Sequence, residues 1–459
     1  MMQLEDYLHG WAESCPSKVA IICGEETATY HELWKQVTHR SLQYKQKEGN
    51  ALVIHSSHTI DFMVTYFACH LAGKAIVPLE SDCTDVKLNT IQQEISACQI
   101  PSNVADILYT TGTTGRQKGI MLSHKAIVAN AENLISAMQF TSDLLFVISG
   151  PLNHIGSLSK IWPTIIVGAT LNITAGMKDM NAFLRAFQLP YHKVATFLVP
   201  SSIRMLLQFA KKELTALSEK IDFIETGAAP MTQADMETLC RLLPHTRLYN
   251  TYASTETGII CTHNYNSDYC MAGCLGKPMK HSSVFITAEG NVACKGDTLM
   301  EGYVGDDTLT RSVLHDGVLF TSDQGRIDAE DRLHLTGRSG DIINIGGYKV
   351  NPVEVEDTAL SFPAVADCIC IASPHPVLGM VLKLLVVPKD GEELNRKALF
   401  THLRKKLDHH HVPQLITIAD HIERTYNGKL NRKFYHFTKI LGESFGGKEK
   451  KPYLCTQNY

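Results

Sequence analysis

Residues 109–119 read YTTGTTGRQKG, and this stretch restricts the architecture of the chain most strongly. The apolar run Ile107, Leu108 and Tyr109 leads into it as a buried strand, and Ser123 followed by Ile127, Leu134 and Met138 has the spacing of a capped helix. Glycines at 112, 115 and 119 let backbone N–H groups approach an anion closely. Thr110, Thr111, Thr113 and Thr114 add hydroxyls, and Lys118 adds charge. The larger N-terminal part of the chain alternates strands and helices as layered α/β subdomains do. A Walker loop places glycine directly before its lysine; Gln117 occupies that position here, which disfavours kinase-like or GTPase-like use of the loop.

A chain of 459 residues has room for two or three domains, each with its own core. The formal net charge of −4 offers no general attraction for nucleic acid or an anionic membrane, so phosphate binding must be local. The start of the chain lacks a cationic segment followed by an apolar run, and no stretch approaches 18 uninterrupted apolar residues, so a cytoplasmic location is expected. Thirteen cysteines at irregular spacing suggest reduced thiols rather than a disulfide framework. Cys368 and Cys370 read as buried strand residues, Cys270 and Cys274 lack a second pair with metal spacing, and His409, His410 and His411 read as a solvated helix end. No internal repeat or low-complexity segment stands out.

Four further blocks carry chemistry. Tyr249 to Gly258, YNTYASTETG, ends in a hydroxyl, a carboxylate and a glycine. There Glu256 suits Mg²⁺ on a triphosphate, Thr255 a phosphate and the Tyr252 ring a purine. Asp316 to Gly325 and Thr336 to Glu356 follow; Asp323 and Arg338 suit the two hydroxyls of a ribose, one accepting and one donating. Arg424 to Lys433, RTYNGKLNRK, sets Lys429 after the turn signal Asn427-Gly428.

Taken in order, these five blocks resemble the adenylate-forming superfamily, which contains acyl-CoA synthetases, adenylation domains and luciferases. The opening is similar too, in Ala12-Glu13, in the run from Pro16 to Ile22 and in the run from Ala28 to Leu33, so the resemblance runs from about residue 10 to about residue 435. Departures are few: Thr111 stands for a common serine, Gln117 for a common proline, Ser322 for the usual glycine and Asn344 for a frequent lysine. The segment before the phosphate loop is short.

The resemblance implies a large layered α/β N-terminal domain over 1–340 and a small mobile α+β C-terminal domain over 341–459, hinged at Asp341. It implies ATP, Mg²⁺ and coenzyme A as cofactors and a two-step reaction. A carboxylate first attacks the α-phosphorus of ATP, giving an acyl-adenylate and pyrophosphate, and a thiol then takes the acyl group. Lys429 would bridge carboxylate and α-phosphate, and Gly346 and Gly347 would line the pantetheine tunnel. Gly227, Ala228 and Ala229 would face adenine and acyl group, and His154, in Pro151 to Ser157, would gate the acyl pocket. Asn153 and His154 stand where amino-acid-activating relatives place an aspartate, so a substrate without an α-ammonium is expected. Three readings stay open: an acyl- or aryl-CoA ligase, with the o-succinylbenzoate ligases as one candidate; an enzyme loading the phosphopantetheine of an acyl carrier protein; and a non-catalytic nucleotide-binding relative.

Overall fold

The computed structural model describes residues 2–111, 117–177, 179–267, 269–341, 343–345, 348–375, 379–425, 430–432, 434–435 and 453–454. The expected buried strand is Val104–Thr111, and the helix His124–Met138 follows Ser123, whose Oγ accepts the Ala126 N–H at 3.2 Å. The sequence suggests a loop running from Tyr109 to Gly119, but Gln117–Ser123 is a strand antiparallel to Val104–Thr111, with Thr110 opposite Lys118 and Tyr109 opposite Gly119. Gly119 therefore does not face an anion from a loop. A Cβ there would lie 3.0 Å from both the Tyr109 ring and Val304, so close packing inside the hairpin selects glycine.

This hairpin belongs to a five-stranded sheet in the order Gly302–Tyr303, Gln117–Ser123, Val104–Thr111, Ala75–Leu79 and Ala51–His55, the last three parallel. A second sheet, of 14 strands, has a parallel centre in which Arg247–Ser254, Ile221–Thr226, Lys193–Leu198 and Leu144–Ile148 lie side by side. All five residues of Leu144–Ile148 are buried, as expected for a parallel strand covered on both faces. Its antiparallel wing carries Val318–Ile327 and Leu333–Arg338. The helix His124–Met138 ties the hairpin of Val104–Thr111 and Gln117–Ser123 to this sheet through two fully buried asparagines. Asn130 Oδ1 accepts the Ile259 N–H at 2.7 Å, and Asn133 Nδ2 donates to the Ile259 carbonyl at 2.9 Å.

Beyond Arg338 a separate core begins at Ile343 and takes in Val350, Val355, Leu382, Leu399, Leu403 and Ile416. Its sheet has the order Val365–His375, Gly379–Pro388, Leu415–Ile418 and Tyr453–Leu454. Cys368 and Cys370 are buried in it, Leu399 and Leu403 point inward from the helix Arg396–Lys406, and His409–His411 is a short 3-10 turn after that helix. The polar tail from 446 to 459 suggests fraying; of it only 453–454 are among the described residues, and there Tyr453 pairs with Ile416 and Leu454 with Leu415. Among the described residues no helix is long and apolar enough to cross a membrane.

Candidate active site

Two clusters of polar side chains flank the turn between the strands Arg247–Ser254 and Gly258–Asn264. The first is built on strand register, because Asp323 sits directly opposite Arg338 across an antiparallel pair. Arg338 Nε donates to Asp323 Oδ1 at 2.5 Å, and the Tyr252 hydroxyl donates to Asp323 Oδ2 at 2.6 Å. Asp323 is buried while the Arg338 side chain is 49% exposed, so the guanidinium keeps open donors beside an anchored carboxylate. The charge of Asp323 raises the Arg338 pKa above its ordinary value. Tyr252 is only 5% exposed. Its hydroxyl braces Asp323, a role the sequence does not announce, and this leaves little of the ring open to a purine. Burial, then the charge of Asp323, pushes the Tyr252 phenol well up, so it stays a donor.

The second cluster surrounds Glu256. Ser254 and Thr257 exchange backbone-to-hydroxyl hydrogen bonds at 3.0 Å, making a tight turn that buries Thr255 and leaves Glu256 half-buried. Gly258 follows with φ +69°; a Cβ there would come within 2.5 Å of Asn130 Oδ1, so only glycine lets the turn seat on the helix. The Tyr303 hydroxyl donates to Glu256 Oε1 at 3.2 Å, and Lys118 Nζ stands 5.2 Å from the centre of the Tyr303 ring. One aromatic thus links the cation of the hairpin to the carboxylate of the turn. Tyr303 carries no signal that sequence reasoning could have used, since a lone tyrosine between turns looks like any other.

A third region joins the two segments expected to meet the acyl group. The Phe197 ring lies between Gly156 and Gly227, where added Cβ atoms would come within 3.0 and 3.5 Å of it. Gly227 is buried, and Ala228 holds φ +68°, a left-handed conformation costing on the order of 1 kcal/mol for a residue with a side chain. Ala229 is half-buried beside it. Lys160 Nζ is 5.0 Å from the Phe197 ring, donates to Glu225 Oε1 at 2.8 Å and stands 2.7 Å from Oε2 as an ion pair, with both side chains 1% exposed. Burial pushes Glu225 up and Lys160 down, and their attraction opposes both shifts. This ion pair was missed from the sequence, its partners being 65 positions apart. Asn153 is buried with Oδ1 unbonded, and His154 is half-buried at the start of the helix Ile155–Leu158.

Thr110 is half-buried opposite Lys118, and Thr111 ends its strand. Gly112, Thr113, Thr114, Gly115, Gly346, Gly347 and Lys429 lie outside the described residues. Asp341 Oδ2 is 3.5 Å from Arg432 Nε, and Arg432 also holds buried Glu356 through two bonds of 2.6 and 2.7 Å.

A fold of this kind, with an anchored carboxylate–guanidinium pair and a lysine–tyrosine–glutamate group around one turn, is suited to binding a nucleotide. The model of the AMP-binding enzyme family matches residues 85–304, and that of the AMP-binding enzyme C-terminal domain matches residues 354–429. The chain belongs to this family of adenylate-forming enzymes. It is similar to a feruloyl-CoA synthase of Amycolatopsis sp., 24% identical over 475 residues that cover 91% of this chain and 95% of the relative. It is also similar to an indoleacetate–CoA ligase of Aromatoleum aromaticum, 29% identical over 339 residues covering 71% and 65%. Among solved structures, the ATP-bound MatB of Rhodopseudomonas palustris shares the fold with a TM-score of 0.85 at 21% identity, over 96% of this chain and 100% of that one.

Proposed function

We propose that this chain is an ATP-dependent acid–thiol ligase that activates a carboxylic acid as its adenylate and transfers the acyl group to coenzyme A. The observation that carries the reading is the pair of clusters around one turn, the Tyr252–Asp323–Arg338 group and the Lys118–Tyr303–Glu256 group. In the first step a carboxylate oxygen bonds to the α-phosphorus of ATP while the bond to pyrophosphate breaks; in the second a thiolate bonds to the acyl carbon and AMP leaves.

Both steps gather negative charge, so donors fixed in advance do more than a general base. Asp323 and Arg338 hold the ribose, Lys118 and the threonines of the hairpin hold phosphate, and Lys429 bridges the carboxylate and the α-phosphate. Glu256 suits Mg²⁺, since a half-buried carboxylate with Oε1 oriented by Tyr303 is a hard oxygen donor. The ion would supply charge neutralisation on the leaving pyrophosphate. The small domain begins at Asp341 in this reading, because Arg338 still pairs within the large sheet and Ile343 already packs in the separate core.

The acid lacks an α-ammonium. Glu225, the buried carboxylate beneath Phe197, is already neutralised by Lys160, and burying a second unpaired ammonium there would cost several kcal/mol. The relatives named above point to aromatic acids such as ferulate and indoleacetate as the first to try, with CoA as acceptor. The test is acid-dependent exchange of labelled pyrophosphate into ATP across a panel of aryl, fatty and amino acids, followed by addition of CoA. Exchange with an aryl or fatty acid and a thioester with CoA are expected. Exchange restricted to amino acids, or absent with every acid, would overturn the reading.

A further inference from the structure

Away from the nucleotide clusters, four polar side chains from four elements meet inside the large domain. Glu5 comes from the helix Leu4–Ser14, His70 from the helix Ile60–Leu71, Asp106 from the strand Val104–Thr111, and His124 opens the helix His124–Met138. The His70 side chain is fully buried and is engaged at both nitrogens: Nδ1 is 2.9 Å from Glu5 Oε1 and Nε2 is 2.9 Å from Asp106 Oδ1. Asp106 is fixed in turn, since the Tyr66 hydroxyl donates to its Oδ2 at 2.9 Å and Trp162 Nε1 donates to that hydroxyl at 2.8 Å.

Two features of this cluster are unspent. Glu5 is 3% exposed, yet its Oε2 is buried without any hydrogen-bond partner. The half-buried His124 ring makes no side-chain hydrogen bond among the described residues, and it stands 5.2 Å from the His70 ring at 77°. One ligand atom from each of Glu5, His70 and His124 lies within 4.8 Å of the other two.

We propose that Glu5, His70 and His124 bind one divalent transition-metal ion of the zinc class, with Asp106 orienting His70 from behind. The geometry favours it. Two imidazoles on one tetrahedral ion with metal–nitrogen bonds of about 2.0–2.1 Å have ring centres about 5.2 Å apart. The rings of His70 and His124 already stand at that separation. A ligating histidine characteristically donates its far N–H to a carboxylate, and Asp106 occupies that place. Charge favours it too: two buried carboxylates face one imidazole, and a divalent ion neutralises both where a proton on His70 neutralises one. Glu5 Oε2 or a solvent oxygen reaching past His124 would complete four ligands. The ion would clamp three helices at the root of the hairpin that carries the phosphate loop, so its role is structural.

The test uses the full chain with His409→Ala, His410→Ala and His411→Ala, which removes the adventitious affinity of the surface run. After chelation this protein is given Co²⁺ or Zn²⁺ and examined by metal analysis, visible absorption and thermal melting. About one ion per chain is expected, with four-coordinate Co²⁺ absorption and a melting rise of a few degrees in Zn²⁺. In the same background His124→Ala should lose at least about tenfold in affinity together with the melting rise, and Asp106→Asn should lose about 10- to 100-fold. Glu5→Gln provides a second ligand variant should His124→Ala fold poorly. No uptake by the parent, or uptake equal in the parent and the ligand variants, would show that a proton alone holds the cluster and would overturn the proposal.

Discussion

The cluster around Glu256 and the one beneath Phe197 handle charge in opposite ways. Around the turn at Glu256 the charged groups are anchored at one end and open at the other: Asp323 is buried under Tyr252 while Arg338 keeps half its side chain exposed. Beneath Phe197 the charges are closed off, and Lys160 and Glu225 neutralise each other at 2.7 to 2.8 Å with 1% of each exposed. Open charges can be handed to a substrate; a closed pair can only shape and neutralise the wall behind one. In the function proposed above, the open cluster would take a polyanion and the closed wall an acid without a second charge.

The sharpest way to break this contrast is to open the closed pair. Lys160→Met alone should cost about 3–5 kcal/mol of stability in denaturant melts, because it strands Glu225 in a buried site. Pairing it with Glu225→Leu should recover most of the loss, since apolar groups of similar volume replace a buried ion pair at little cost. A double variant as unstable as the single would mean that the pair serves a bound charge rather than itself.

Next in size is the open side. Lys429→Ala should slow pyrophosphate exchange by about 10²–10³ while leaving conversion of supplied acyl-adenylate to thioester intact. Equal loss in both half-reactions would remove Lys429 from the adenylation step. Asp323→Ala should lower kcat/KM for ATP by about 10- to 100-fold, the worth of a hydrogen bond to a charged group, and Tyr252→Phe by less, about 3- to 10-fold. Tyr252→Phe matching or exceeding Asp323→Ala would make the tyrosine a direct nucleotide contact rather than a brace.

The smallest effect concerns the face where the small domain meets the large one. Asp357, partly buried on the helix Pro352–Leu360 and within electrostatic reach of Arg204 and Asp235, is held up to about 7 by burial and by neighbouring Glu356. Between its ordinary value of 3.8 and about 7 the folded protein keeps a proton that the unfolded chain has released. Stability from this group therefore falls as pH rises through that window and is level above it. Asp357→Asn should remove a fall on the order of 1 kcal/mol between pH 5 and pH 8, partial exposure having reduced the penalty. Parallel melting curves for both proteins would place the proton elsewhere.

What could be read from the sequence divides along the same line. The strand Val104–Thr111 and the Ser123 cap were legible, because each rests on local spacing; Asp323 and Arg338 were singled out as two ribose partners, but not as partners of each other. The strand Gln117–Ser123 was not legible, because Gly119 looks like a loop residue until Tyr109 and Val304 are seen packed against it. Lys160 with Glu225, Phe197 between two glycines, and Tyr303 between Lys118 and Glu256 were also hidden. Each is a single residue whose meaning depends on a partner brought near by sheet order, and a lone lysine or tyrosine carries no trace of that partner. The cluster at His70 is the extreme case, with four contributors spread from residue 5 to residue 124.

The claim on which the account turns is that the substrate's own carboxyl oxygen bonds to the α-phosphorus of ATP. Turnover with an acid carrying ¹⁸O in its carboxyl group, followed by mass analysis of the products, tests this directly. The account predicts one labelled oxygen in AMP for each thioester formed and none in pyrophosphate. Label appearing in inorganic phosphate, with ADP as the nucleotide product, would contradict it.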